Sequence, residues 1–157
     1  MHYGLSVRPF ETVHTMTDFY DGPRSGIADF DGRPHAYVSR LGDRQNDDDV
    51  YELRAVDEET LKLALEDWQI WSRWEEAFYS QKVTLETHPA LPEDLARHEE
   101  IAAVLPSRLE TLPGPVTRAH AEFRRRPEHL DEEALEPGRV RTLEVQWRPL
   151  GPLGSMG

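Results

Sequence analysis

Two hydrophobic rhythms divide this chain. Residues 12–55 and 116–150 alternate apolar and polar side chains, whereas residues 57–109 repeat at helical spacing. In the first stretch, Thr12–Tyr20, Ser25–Phe30, Arg33–Arg40 and Val50–Ala55 are short runs rich in aromatic or β-branched residues, separated by Gly, Pro and Asp. Asp31-Gly32 is the strongest hairpin signal, because a type I′ turn needs positive φ at both central positions. These runs predict a meander of three or four antiparallel strands. The polar segment Gly42–Asp49, with three consecutive Asp, reads as a solvated loop.

Asp57 then suits a helix N-cap, and Glu58 and Glu59 suit the positive end of the helix dipole. From Leu61 to Phe78 the apolar positions leave one narrow polar stripe: Lys62, Glu66, Gln69, Arg73 and Glu76. So apolar a helix is expected to be covered by the sheet on one side and a second helix on another. Thr87-His88-Pro89 and Pro92 mark an ordered connector. Pro92-Glu93-Asp94 starts the second helix, with Leu95, His98, Ala102, Leu105 and Leu109 as its inner stripe and Ile101 beside them. His98 on that stripe reads as a hydrogen-bonded histidine at the core edge. Pro106 is expected to kink or end the helix, and Pro113-Gly114-Pro115 to break it finally.

Val116–Arg125 and Arg139–Leu150 alternate again, joined by the acidic connector Pro127–Pro137. The predicted fold is α+β, a mainly antiparallel sheet (N-terminal meander plus C-terminal strand pair) with two helices packed on one face. Residues 1–11 read as an N-terminal extension, 12–150 as a single domain and 151–157 as a flexible tail.

Charge narrows the function classes. Thirty acids against eighteen bases give a net charge of −12, which repels nucleic-acid phosphates and attracts basic protein surfaces. The excess is concentrated, because residues 51–100 alone carry thirteen acids and five bases. A basic partner, if there is one, is therefore expected on the helices. With no cysteine, disulfides, thiolate catalysis and Cys-ligated metal sites are excluded. No stretch reads as a signal peptide or membrane span, so the expected location is cytoplasmic with no membrane partner. No phosphate-loop, dinucleotide, zinc-protease, nucleophile-elbow or EF-hand motif occurs, and no cofactor or metal is expected.

Candidate chemistry concentrates between Val13 and His35. If Thr12–Tyr20 is extended, Val13, Thr15, Thr17 and Phe19 share one face, with His14, Met16, Asp18 and Tyr20 on the other. A sheet covered on one side would then display His14, Asp18, Tyr20, His35 and His120 together. With Asp21 and Arg24 from the adjoining turn, such a group can do acid–base work or hold a metal. The competing reading is a polar outer sheet face. On the first helix, Asp67 and Glu75 fall inside the apolar arc, so each should meet an Arg, a His or a backbone N–H, Arg24 being the expected partner of one. The alternative is that one of them faces a pocket. Trp68, Trp71 and Trp74 with Phe78 are either core or an aromatic binding surface.

The runs TDFYDGPRSGIADFDGRPH and DWQIWSRWEEAF, followed by THPALPED, resemble a family of uncharacterised bacterial proteins over roughly Thr12–Leu109, with a weaker echo in LEVQWRPL. The resemblance implies a bacterial origin and a shared fold, and no reaction. The leading functional expectation is a non-enzymatic acidic interaction module, an accessory or immunity-type factor. Alternatives are a small metal-dependent or acid–base hydrolase using His14, Asp18, Tyr20, Asp21, Arg24 and His35, or a small-ligand sensor beside the Trp-rich helix involving Asp67, Glu75, Trp71 and Trp74.

Overall fold

All six period-two runs form strands. The computed structural model describes residues 8–19, 23–40, 50–125 and 143–150, with Asp18 and Phe19 described by backbone alone. The strands are β1 (Glu11–Phe19), β2 (Pro23–Phe30), β3 (Arg33–Arg40), β4 (Val50–Ala55), β5 (Thr117–Arg125) and β6 (Leu143–Pro149). The helices are α1 (Glu58–Tyr79) and α2 (Pro92–Glu110). The fold is α+β. Successive strands pair antiparallel, and β6 returns to β1 through Glu11↔Val145 and Thr12↔Glu144, so the sheet is a closed six-stranded barrel. Asp31 and Gly32 take φ values of 57° and 76°, as the type I′ turn between β2 and β3 requires. The loop 42–49, the connector 127–137 and the tail 151–157 lie outside the described residues. Two compact units result, the barrel (residues 1–55 and 114–157) and the helical pair (56–113).

Closure gives the alternating strands a place to bury their apolar face. Val13, Ala28, Tyr37, Tyr51, Leu53, Ala119, Leu143, Val145 and Trp147 form the buried cluster, with Phe30 and Phe123 packed against it. The rings of Tyr37, Tyr51, Phe123 and Trp147 lie with every pair of centroids within 6.1 Å. Their polar tips end on backbone carbonyls of β1 and β2. Tyr37 Oη donates to Thr15 O (3.0 Å), Tyr51 Oη to Pro23 O (2.7 Å) and Trp147 Nε1 to Asp29 O (2.9 Å). Buried rings thus satisfy buried acceptors.

The first of these carbonyls, Thr15 O, lies where β1 is irregular. Its register against β2 shifts between Val13 and Thr15 and again between Met16 and Asp18. At the first shift the Thr15 hydroxyl accepts the Ile27 N–H (2.9 Å). Gly26 lies where the Tyr37 hydroxyl meets the Thr15 carbonyl, and a Cβ there would stand 2.1 Å from Thr15 O.

The helical unit follows its pattern closely on α1. Asp57 caps it, accepting from Thr60 N (3.1 Å) and Thr60 Oγ1 (2.6 Å). Lys62, Gln69, Arg73 and Glu76 are exposed and Glu66 is half-buried, while Ala64, Ile70 and Trp74 are buried. Trp74 stacks on Phe78 (5.1 Å) and gives its N–H to Thr87 Oγ1 (2.9 Å).

On α2 the expected stripe is rotated. Ile101 and Leu105 are buried, and His98 and Leu109 are half-buried, but Leu95 and Ala102 are exposed. The line facing α1 runs through Asp94, His98, Ile101, Leu105 and Arg108, because polar residues occupy much of that contact. Pro106 does not end the helix, which runs on to Glu110. The N–H it lacks would have served the carbonyl of Ala102, which lies on the exposed flank where water can take that bond.

Two outcomes test the barrel. Gly26→Ala is expected to lower unfolding free energy by about 3 kcal/mol or more in a urea titration, since the obstacle is backbone. Burial, with the neighbouring Tyr51 adding to it, pushes the Tyr37 phenol far above its ordinary value. A raised folded value means its stabilising contribution is complete below about pH 10 and is lost as pH rises beyond that, because the unfolded chain ionises first. Tyrosinate absorbance near 295 nm should therefore gain its last component only as circular dichroism reports unfolding, and Tyr37→Phe should remove that coincidence.

Candidate functional site

Of the six residues grouped between 14 and 35, His14, Arg24 and His35 have described side chains, and the structure places them apart. The side chain of Asp18, and Tyr20 and Asp21 entirely, lie outside the described residues. β3 pairs without a shift on both edges, so His35, Tyr37 and Ser39 share the inward face. Arg24, next along β2, reaches Ser39 Oγ with Nη1 (3.5 Å) at one end of the barrel. His35 stands four residues from Ser39, about 13 Å along the strand. There its Nδ1 lies 2.8 Å from Arg33 O and its ring meets Phe30 edge-on at 5.3 Å.

His14 is on the other face. Its Nε2 lies 2.9 Å from Asp29 Oδ1, and both side chains are half-buried. Asp29 alternates with the inward Ala28 and Phe30, so this pair is on the outside of the wall. The alternation drawn for β1 separates here because of the register shift between Val13 and Thr15, which carries Met16 into the core and away from His14's face. His120 also faces outward, opposite Arg148 on β6.

The turn itself is occupied by the chain's own carboxylate. Glu11 accepts the N–H groups of Asp31 (3.1 Å) and Gly32 (2.8 Å), and Arg8 pairs with Asp31 while covering the Phe30 ring at 4.6 Å. Successive turn N–H groups form an anion nest, and Glu11 fills it. Among the described residues, no group of three or more His, Cys, Asp or Glu is placed to hold a metal ion.

The helical candidates lie in different surroundings. Asp67 pairs with His98 Nδ1 at 2.7 Å, so its partner is the other helix and not Arg24. His98 is thus the hydrogen-bonded core-edge histidine its position implies. Glu75 is 1% exposed, a buried carboxylate. Trp74 is core, whereas Trp71 is half-buried with its ring 5.2 Å from that of Trp68.

Pattern reading missed the polar ladder between the helices. Arg97 grips Glu66 with Nε (2.7 Å) and Nη2 (2.8 Å) and reaches Glu100 (2.9 Å). Arg73 grips Asp94 with Nε (3.0 Å) and Nη2 (3.1 Å), and Arg108 approaches Asp57 at 3.6 Å. These forked pairs fix helix register as well as charge. Asp29 and Glu11 were missed too, because only strand pairing brings them to His14 and the turn.

No family model matches the chain, and no match was found among curated proteins or solved structures. Among the described residues, no helix is long and apolar enough to cross a membrane.

Acid should loosen the helical pair first. Hydrogen bonds from Arg97 hold the Glu66 carboxyl below the usual range, and those from Thr60 do the same for Asp57. A depressed folded value gives stability that is complete above about pH 4.3, the unfolded value for Glu, and vanishes as pH falls further. Thermal melts between pH 7 and pH 3 (taken around these reference values) should show a steeper acid decline for the wild type than for Glu66→Gln.

Proposed function

We propose that this protein is a non-enzymatic acidic interaction module, an accessory or immunity-type factor whose helical unit docks a basic surface of another protein. The observation that carries this reading is the use of the helical bases. Arg73, Arg97 and Arg108 are each held by carboxylates of the same unit. Glu58, Glu59, Glu86, Glu93, Glu99 and Glu110 stand exposed around them. With thirteen acids to five bases over residues 51–100, the surface keeps a strong negative field. Such a field accelerates encounter with a basic partner and weakens as salt screens it.

The barrel supports the same reading in a second way. Aromatic rings occupy its interior, so this unit serves as a filled scaffold rather than a ligand cup.

The His14–Asp29 pair is the one observation that favours an acid–base hydrolase. A panel of ester and phosphoester substrates, turned over by the wild type and not by His14→Ala, would displace the present proposal. The direct test is affinity capture from host extract in about 50 mM salt, with elution in about 500 mM. A specific basic protein should be retained by the wild type, and at least tenfold less by Glu93→Gln/Glu99→Gln/Glu110→Gln. Capture of nothing, or capture indifferent to these changes, would overturn the proposal.

A further inference from the structure

One face of the barrel has the opposite character from the helices. On the outer side of β3, β4 and β5, pairing aligns Val38, Glu52 and Arg118 in one row, which Leu150 extends by donating its N–H to Arg118 O (2.9 Å). The next row holds Arg40, Val50, His120 and Arg148. Arg40 and Arg118 expose 59% and 65% of their side chains, and Arg148 is exposed. Val38, Val116 and Leu150 are among the few large apolar residues left in solvent. Glu52, half-buried, is shared by Arg40 (3.2 Å) and Arg118 (3.9 Å), and Glu122 marks the edge. Arginines interleaved with aliphatic side chains suit a protein partner. A nucleic acid would call for exposed aromatic platforms, and the aliphatic residues here offer no stacking surface.

The complementary surface is on the same chain. Leu95, Glu99, Ala102, Pro106 and Glu110 recur at i, i+4, i+7, i+11 and i+15 of α2, and all five are exposed. This flank carries acids and small apolar groups where the barrel face carries arginines and aliphatics. Both sets are exposed, and the single Glu52 that Arg40 and Arg118 share leaves the barrel face with excess positive charge.

We infer that the basic barrel face receives the α2 flank of a second copy of this chain. The inference rests on the reading of the helical unit as a surface that docks basic proteins, and it names one such protein. Arg40, Arg118 and Arg148 meet Glu99 and Glu110 of the neighbour, while Val38, Val116 and Leu150 cover Leu95 and Ala102. In about 100 mM salt the Debye length is about 10 Å, so the repulsion between two net-negative chains is screened while pairs in contact still attract.

Sedimentation velocity of the full chain over a dilution series in that buffer is expected to show reversible association, lost in about 1 M salt, where the screening length is about 3 Å. Arg118→Glu/Arg148→Glu and Glu99→Arg/Glu110→Arg, all at exposed positions, should each be folded by circular dichroism and monomeric alone. Mixed together, they should associate at least tenfold more strongly than either does with itself. A wild type monomeric at every dilution, association that survives both double substitutions, or a mixture that stays monomeric would each overturn the inference. A single-stranded RNA oligonucleotide bound by a monomeric wild type, and not by Arg118→Glu/Arg148→Glu, would assign the face to nucleic acid instead. The arginine substitutions leave the helices untouched. Their failure therefore bears on self-association alone, and partner capture by the helical unit is read separately.

Discussion

A closed six-stranded barrel has a small interior, and everything else in this unit depends on how that interior is filled. Tyr37, Tyr51, Phe123 and Trp147 meet there from four strands. Three of the four rings carry a donor, and a buried donor without an acceptor would cost on the order of 1–3 kcal/mol. The wall therefore supplies acceptors, the carbonyls of Thr15, Pro23 and Asp29. The bulges of β1, the Thr15 side chain in place of a ladder bond and the bare backbone at Gly26 go with that arrangement. So does the position of His14, whose partner Asp29 is anchored from inside the barrel by Trp147.

The helical pair solves a different problem with different means. Its apolar contact is narrow, Ile70, Trp74, Ile101 and Leu105 being the large buried residues. Forked guanidinium–carboxylate pairs and the Asp67–His98 bond flank that contact and hold the register. Exposed ion pairs add little stability individually, but three along one seam specify alignment. They also occupy most of the local bases. The acid excess left on the surface follows directly from that arrangement, and the proposed docking role rests on it.

The two units thus present opposite surfaces on one chain, an acidic helical flank and an arginine-rich barrel face. A strongly acidic protein is commonly pictured as uniformly negative. Here the arginines are gathered on β3 to β6, where strand pairing aligns residues distant in sequence.

The local grammar of the sequence determined the elements. Period-two alternation located six strands, Asp31-Gly32 placed the tight turn, Asp57 the N-cap, and the stripe Lys62, Gln69, Arg73 and Glu76 the exposed polar residues of α1. Each of these depends on a few neighbouring residues, so it can be read along the chain. Closure of the sheet, the bulges in β1 and the rotation of α2 were decided by tertiary structure, because each depends on which distant residue arrives opposite. His14 proves to bond Asp29 on the outer wall, while His35 lies on the inward face and Arg24 reaches Ser39. One shift of register moves a side chain to the other face, and nothing local in Thr12–Tyr20 states that Tyr37, two strands further along the chain, will need the carbonyl of Thr15.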